Sequence, residues 1–206
     1  MPISSNTNCL KGYIVPRNGA ASSATTRKRQ GTVGPAPPTV AEMKGTSQDT
    51  ANAVKRIGLI SDTHGLLRKE AVEALRGSEL ILHAGDVGKP EILEALKKIA
   101  PVVAVRGNVD TDPWAKALPE TAVAKAGAVL IYVLHDVHAL DLNPAASGFH
   151  IVVSGHSHKA GKTERDGVLY INPGSAGPRR FQLPVMLARL ALGTAPYEVE
   201  FLELEV

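Results

Sequence analysis

In five places along this chain a short hydrophobic run ends on an aspartate, asparagine or histidine, most often within a glycine-containing loop. Ile57-Gly58-Leu59-Ile60 leads into Ser61-Asp62-Thr63-His64-Gly65, Leu80-Ile81-Leu82 into Ala84-Gly85-Asp86-Val87-Gly88, and Val102-Val103-Ala104-Val105 into Arg106-Gly107-Asn108-Val109-Asp110. A fourth run, 128–134, ends at His135, and a fifth, 149–153, at Gly155-His156-Ser157-His158. Between the first three runs lie two amphipathic segments. Residues 68–76 place Ala71, Val72 and Leu75 on one face, and Pro90 opens a segment whose stripe is Ile92, Leu93, Leu96 and Ile99. Strands alternating with such helices predict an α/β fold with parallel strands.

The second half reads differently. A strand pair about Gly127, a hairpin turning at Asp166-Gly167 and two closing strands near 187–190 and 197–204 predict a mostly antiparallel arrangement. Two sheets packed face to face are therefore expected. Before residue 55 there is no persistent period of 2 or 3.6, and Gly, Pro, Ser, Thr and Asn fill 26 of 54 positions. Residues 1–54 are thus expected to be a disordered leader, and 55–206 the folded domain. Met43 lies shortly before the regular pattern, and a chain begun there would lack most of that leader; the intact mass of the native protein distinguishes the two.

Charge follows the same division. The net charge of +3 invites a nucleic-acid reading, but the first 54 residues hold six basic and two acidic side chains, +4, leaving 17 basic and 18 acidic, −1, in the rest. A near-neutral domain with 4% aromatic residues is a poor base-stacking platform, so nucleic acid is not the expected partner. No apolar run reaches the roughly 18 residues of a membrane span. The single cysteine, Cys9, closes no intrachain disulfide, which points to a reducing compartment and a cytoplasmic protein.

In α/β sheets, ligands bind beyond the carboxyl ends of the strands, so the residues ending these runs should converge on one rim. The steps from Asp62 to Asp86, Asn108, His135 and His156 are 24, 22, 27 and 21 residues, each one strand plus its return. Imidazole and carboxylate donors without a thiolate suit Mn, Fe, Zn or Ni. Seven candidates (Asp62, His64, Asp86, Asn108, His135, His156, His158) exceed one four-coordinate zinc but suit two octahedral ions, with a carboxylate such as Asp86 bridging them.

Together with Asn172-Pro173-Gly174-Ser175, these motifs resemble those of the calcineurin-like metallophosphoesterases, and within them the small bacterial and archaeal phosphodiesterase branch. The resemblance covers residues 56 to about 205. It implies a four-layer α/β/β/α sandwich. It further implies one ion on Asp62, His64, Asp86 and His158, and a second on Asp86, Asn108, His135 and His156. The implied cofactors are two divalent ions, manganese first, with nickel, iron and zinc as alternatives. The implied reaction is hydrolysis of small phosphodiesters by metal-bound hydroxide, with Asp86 and Asn108 in the catalytic machinery and homodimers common among relatives. Asn172 to Ser175 are either a brace beneath the site or a plain turn.

Two positions depart from the pattern. Many relatives have a histidine after the Gly-Asn pair, thought to protonate the leaving group; Val109 stands here, which counts against phosphomonoester hydrolysis. Asp136 stands where close relatives often have glycine, and either orients a ligand imidazole or caps Val137-His138. His83 is a core imidazole or a support of the site, and Arg106 steers phosphate or makes a surface ion pair. His138 is a surface residue or a substitute acid, His150 is structural, and Arg179-Arg180 would form an outer anion-binding lip. The rival functions are a phosphomonoesterase and a non-catalytic scaffold of this fold, the latter exemplified by a retromer subunit with a degraded metal shell.

Overall fold

The computed structural model describes residues 39–42, 55–180, 182–193 and 195–206. In chain order the elements are β1 (Thr39–Glu42), β2 (Lys55–Ile60), α1 (Lys69–Ala74), β3 (Leu80–His83), α2 (Pro90–Lys97), β4 (Val102–Ala104), β5 (Thr121–Ala126), β6 (Val129–Leu134), β7 (Ile151–Val153), β8 (Gly161–Arg165), β9 (Val168–Asn172), β10 (Met186–Leu192) and β11 (Glu198–Glu203). They build two sheets, ordered β11-β10-β2-β3-β4 and β1-β5-β6-β7-β9-β8. None of the helices described is long and apolar enough to cross a membrane.

The alternation of strand side chains sorts β2 between two layers. Ile57 and Leu59, with Leu82 and Val103 of the same sheet, face the second sheet and its Ala124, Ile131, Val133, Ile151, Val153 and Ile171, all buried. Ile60 faces the other way, toward Ala71 of α1, Leu75 at its C-terminal end, and Ile92, Leu93 and Leu96 of α2. Gly58 belongs to that helix-facing side, and a Cβ there would collide with the Leu75 side chain. Its glycine lets α1 approach the sheet. Helix α2 begins with Pro90 and Glu91 and ends on Lys97, matching its dipole, and its buried leucines each contribute roughly 1.5–3 kcal/mol of transfer free energy.

The outer face of the six-stranded sheet has a thinner cover. Tyr132, Leu134, Val152 and Val168 are covered by Leu140, Leu142 and Phe149, with the Tyr132 and Phe149 rings 5.0 Å apart. That connection holds one 3₁₀ turn, Val137–Ala139, and no α-helix. The layers are thus those of an α/β sandwich, with a loop as the fourth.

As expected, the second half is mostly antiparallel, through β5–β6, β8–β9, β10–β11 and the pairing of β10 with β2, but β6 pairs parallel with β7, and β7 parallel with β9. The 16 residues between Leu134 and Ile151 are long enough for a crossover, and β8 returns the chain so that β9 runs alongside β7. This direction matters, because it brings the carboxyl ends of β6, β7 and β9 to the same rim as those of β2, β3 and β4. Within the leader, Thr39–Glu42 pairs parallel with the edge of β5. Four residues are too few to display a period, and their partner lies about 80 residues away. The expectation of disorder for residues 1–38 and 43–54 lies outside the described residues.

Candidate metal centre

Past the strand ends, the backbone keeps bonding from loop to loop. Asp62 donates its N–H to Gly85 O at 3.0 Å, His64 to Asp86 O at 2.9 Å and Gly65 to Val87 O at 2.8 Å, while Gly155 donates to His135 O at 2.9 Å. These bonds extract a conformational cost. Six non-glycine residues among those described have positive φ: Asp62 (55°), His64 (46°), Asp86 (56°), His156 (67°), His158 (59°) and the hairpin residue Asp166 (51°). Five of the six are candidate ligands. Each costs on the order of 1 kcal/mol, a strain that persists only where surroundings over-determine it and that concentrates at functional sites. Gly107 and Gly155 permit the close approach: a Cβ on Gly107 would strike the Asp86 carboxylate, and one on Gly155 would strike Ser61 Oγ.

The seven side chains converge. Asp62 Oδ1 lies 3.2 Å from His158 Nε2 and 4.0 Å from His64 Nε2. His64 Nε2 is 3.4 Å from His158 Nε2 and 3.9 Å from Asp86 Oδ2. Asp86 Oδ2 is 3.3 Å from His135 Nε2, and Asn108 Oδ1 is 3.0 Å from both His135 Nε2 and His156 Nδ1. Among the described residues, two groups have donor atoms within 4.8 Å of one another: Asp62, His64 and His158, and Asp62, Asp86 and His135. Asp62 as well as Asp86 therefore stands between the two halves.

The donor chemistry fits cations. His135 Nδ1 lies 2.8 Å from Ala84 O, the geometry of an Nδ1–H donor, which turns the Nε2 lone pair toward Asp86 and Asn108. Asp62 Oδ1 is buried without a hydrogen-bond partner. Lone pairs aimed at lone pairs are costly unless a positive charge lies among them. Ionisation agrees. Burial pushes the Asp62 carboxyl up to about 6, against the Ser61 hydroxyl that bonds it. Burial also works against Asp86, but the positive charge that His135 carries when protonated and the Val109 N–H hold it below the ordinary carboxylate range; Asp86 in turn raises His135 against that imidazole's own burial. Burial lowers His64 and His158, which keeps both imidazoles neutral and able to coordinate.

The profile of the calcineurin-like phosphoesterase superfamily domain matches residues 56–194. The chain belongs to that superfamily. A probable metallophosphoesterase of Methanothermobacter thermautotrophicus is 32% identical over 147 residues, spanning 65% of this chain and 85% of that one. An archaeal phosphodiesterase structure superposes with a TM-score of 0.61 at 22% identity, covering 71% of this chain and 99% of that chain. Vps29 of Cryptosporidium parvum superposes at 0.59 and 24% identity, covering 74% and 99%. These two likenesses are of fold. Membership makes the chain a phosphoester hydrolase of a metal-dependent family, in its small prokaryotic branch.

The remaining residues of this phosphoesterase site divide. Asn172 to Ser175 are a brace: Asn172 Nδ2 donates to Gly155 O (2.6 Å) and Ser157 Oγ (3.0 Å), and Ser175 Oγ donates to Asp62 O (3.1 Å). Asp136 caps His138 N–H at 2.9 Å with Oδ1, while Oδ2 stands 3.9 Å from His156 Nε2, too far to bond it directly. His83 is a buried core imidazole whose Nε2 lies 3.0 Å from Thr63 Oγ1, and burial lowers its pKa to about 4. Of the two roles expected for Arg106, the structure shows the ion pair: its guanidinium bonds Glu120. His138 and His150 are exposed, the latter accepting Leu130 N–H at 3.2 Å. Arg179 bonds Val206 O, and the charge of Arg180 is felt at both His64 and His158.

Three supports escaped the sequence reading. Ser61 Oγ donates to Asp62 Oδ2 at 2.5 Å, Thr63 Oγ1 donates to Val87 O at 2.9 Å, and Asp110 accepts three backbone amides. Each lies within two residues of a candidate ligand, and that proximity was the available signal.

Proposed function

We propose that this chain is a phosphodiesterase using two divalent ions, manganese first, to hydrolyse small phosphodiesters. One ion is assigned to Asp62, His64, Asp86 and His158, the other to Asp86, Asn108, His135 and His156. The observation that carries this reading is the convergence of seven N and O donors, with a buried, unbonded Asp62 oxygen among them. When bound, such ions supply positive charge against the phosphoryl oxygens and an acidified water as nucleophile.

The protein's own part is orientation. The Ser61 hydroxyl and His156 N–H hold Asp62 Oδ2, turning Oδ1 toward His158. Val109 N–H holds Asp86 Oδ1 at 3.0 Å, so Oδ2 alone faces the imidazoles. Asn108 directs its Oδ1 at two histidines, which leaves its exposed amide Nδ2 to donate to a phosphoryl oxygen.

Val109, 45% exposed, supports the diester over the monoester. A valine donates no proton, so the leaving group departs without a protein acid at that position. The likeness to Vps29 favours a scaffold as the second reading, yet the full donor set favours catalysis. The test compares bis(p-nitrophenyl) phosphate with p-nitrophenyl phosphate on metal-stripped protein before and after Mn²⁺ addition. Restored diester hydrolysis with a slower monoester reaction is expected; no response to the metal would favour the scaffold.

A further inference from the structure

Asp110 is 4% exposed and makes no hydrogen bond to a histidine among the described residues. Its carboxylate is spent on backbone. Oδ2 accepts the N–H of Val87 at 3.1 Å and of Gly107 at 2.9 Å, and Oδ1 accepts that of Gly88 at 2.8 Å. Val87 directly follows Asp86, and Gly107 directly precedes Asn108. Asp86 does the converse: its Oδ1 accepts the N–H of Val109, the residue directly before Asp110, at 3.0 Å. Each aspartate thus binds the amide beside the other. Val87 extends the connection, because its carbonyl accepts Gly65 N–H at 2.8 Å and Thr63 Oγ1–H at 2.9 Å, and Thr63 faces His83.

We propose that Asp86 and Asp110 form a reciprocal clasp between the loops after β3 and β4, with Asp110 a positioning residue for the ion assigned to Asn108, His135 and His156. The proposal rests on the two-ion reading above. The physical case is that three N–H donors satisfy a buried carboxylate while fixing two peptide units that flank ligands. With both units fixed, the rotation of Asp86 that would exchange its two oxygens is blocked by Val109 N–H. The ion of the Asp62, His64 and His158 group takes its other donors from loops that Asp110 does not bond directly, so loss of the clasp should weaken the two sites unequally.

Asp110→Asn tests this, because an amide replaces one acceptor with a donor facing N–H groups. In metal-free protein, amide hydrogen exchange at Val87, Gly88 and Gly107 should quicken by tenfold or more at one or more of the three, with Ile81 and Leu82 of β3 unchanged. Mn²⁺ titration calorimetry should show one site near wild-type affinity and the other weakened at least tenfold. Uniformly faster exchange, or two sites of unchanged affinity, would overturn the proposal. Should the variant fail to fold, wild-type exchange decides: the three amides must be protected in metal-free protein although they lie in loops, and free exchange overturns the clasp. A wild-type chain binding fewer than two ions would instead refute the two-ion reading, separately from the exchange result.

Discussion

Replacing Asp62 by Asn should make the metal-free protein more stable at neutral pH while removing its capacity for metal. Asp62 is fully buried, and burial raises its carboxyl from 3.8 to about 6. An acid whose folded pKa exceeds its unfolded value favours the native state when protonated. Its contribution is therefore fully present below 3.8, is lost as pH rises, and is absent above about 6. Two units correspond to about 3 kcal/mol of destabilisation at pH 8. Asparagine removes the charge, keeps an oxygen for the Ser61 hydroxyl and His156 amide, and places an N–H donor toward His158 Nε2, which now stands 3.2 Å from an oxygen. Urea unfolding in chelator should give a gain of about 3 kcal/mol at pH 8, or roughly 6–12 °C in melting temperature, and almost none at pH 3.5. With saturating Mn²⁺ the order should reverse, since only the wild type gains binding free energy. A variant no more stable than wild type at pH 8, or equally stabilised at both pH values, would refute the reasoning.

Other perturbations follow from the same geometry. His83, pushed down to about 4 by burial, binds a proton only when unfolded, so its stabilising contribution is present above 6.5 and lost as pH falls toward 4. His83→Gln should flatten the acid loss of stability in that window, whereas Asp62→Asn, by removing the opposing trend, should steepen it; unchanged pH slopes in urea titrations would contradict both assignments. Val109→His should raise kcat/KM for p-nitrophenyl phosphate relative to bis(p-nitrophenyl) phosphate, and an unchanged ratio would mean that proton donation is not limiting. Asp86→Ala should abolish Mn²⁺-dependent hydrolysis while circular dichroism remains native; full activity would remove Asp86 from the shared position.

Much of the site was legible because its chemistry is tied to a local pattern. Asp62, Asp86, Asn108, His135 and His156 each end an apolar strand, and strand ends of a parallel sheet meet at one rim. The brace of Asn172 to Ser175 could be named but not distinguished from a turn, since its bonds run to Gly155 and Asp62, 17 and 113 residues away. The parallel pairing of β6, β7 and β9 inside a mostly antiparallel half is not legible in the sequence, because the pattern of a strand reports burial, not direction. Arg106 was ambiguous for a related reason: a cation beside an anion site and a cation beside Glu120 look alike until the fold chooses. Asp110 was invisible as a support because its partners are backbone amides, which carry no sequence signature.

Crystals of metal-stripped protein soaked in Mn²⁺ and measured at the manganese absorption edge would test the central claim most directly. The account predicts two anomalous peaks about 3.5–4 Å apart with Asp86 between them, one bounded by His64 and His158 and the other by Asn108, His135 and His156. A single peak, or peaks away from these seven side chains, would contradict it.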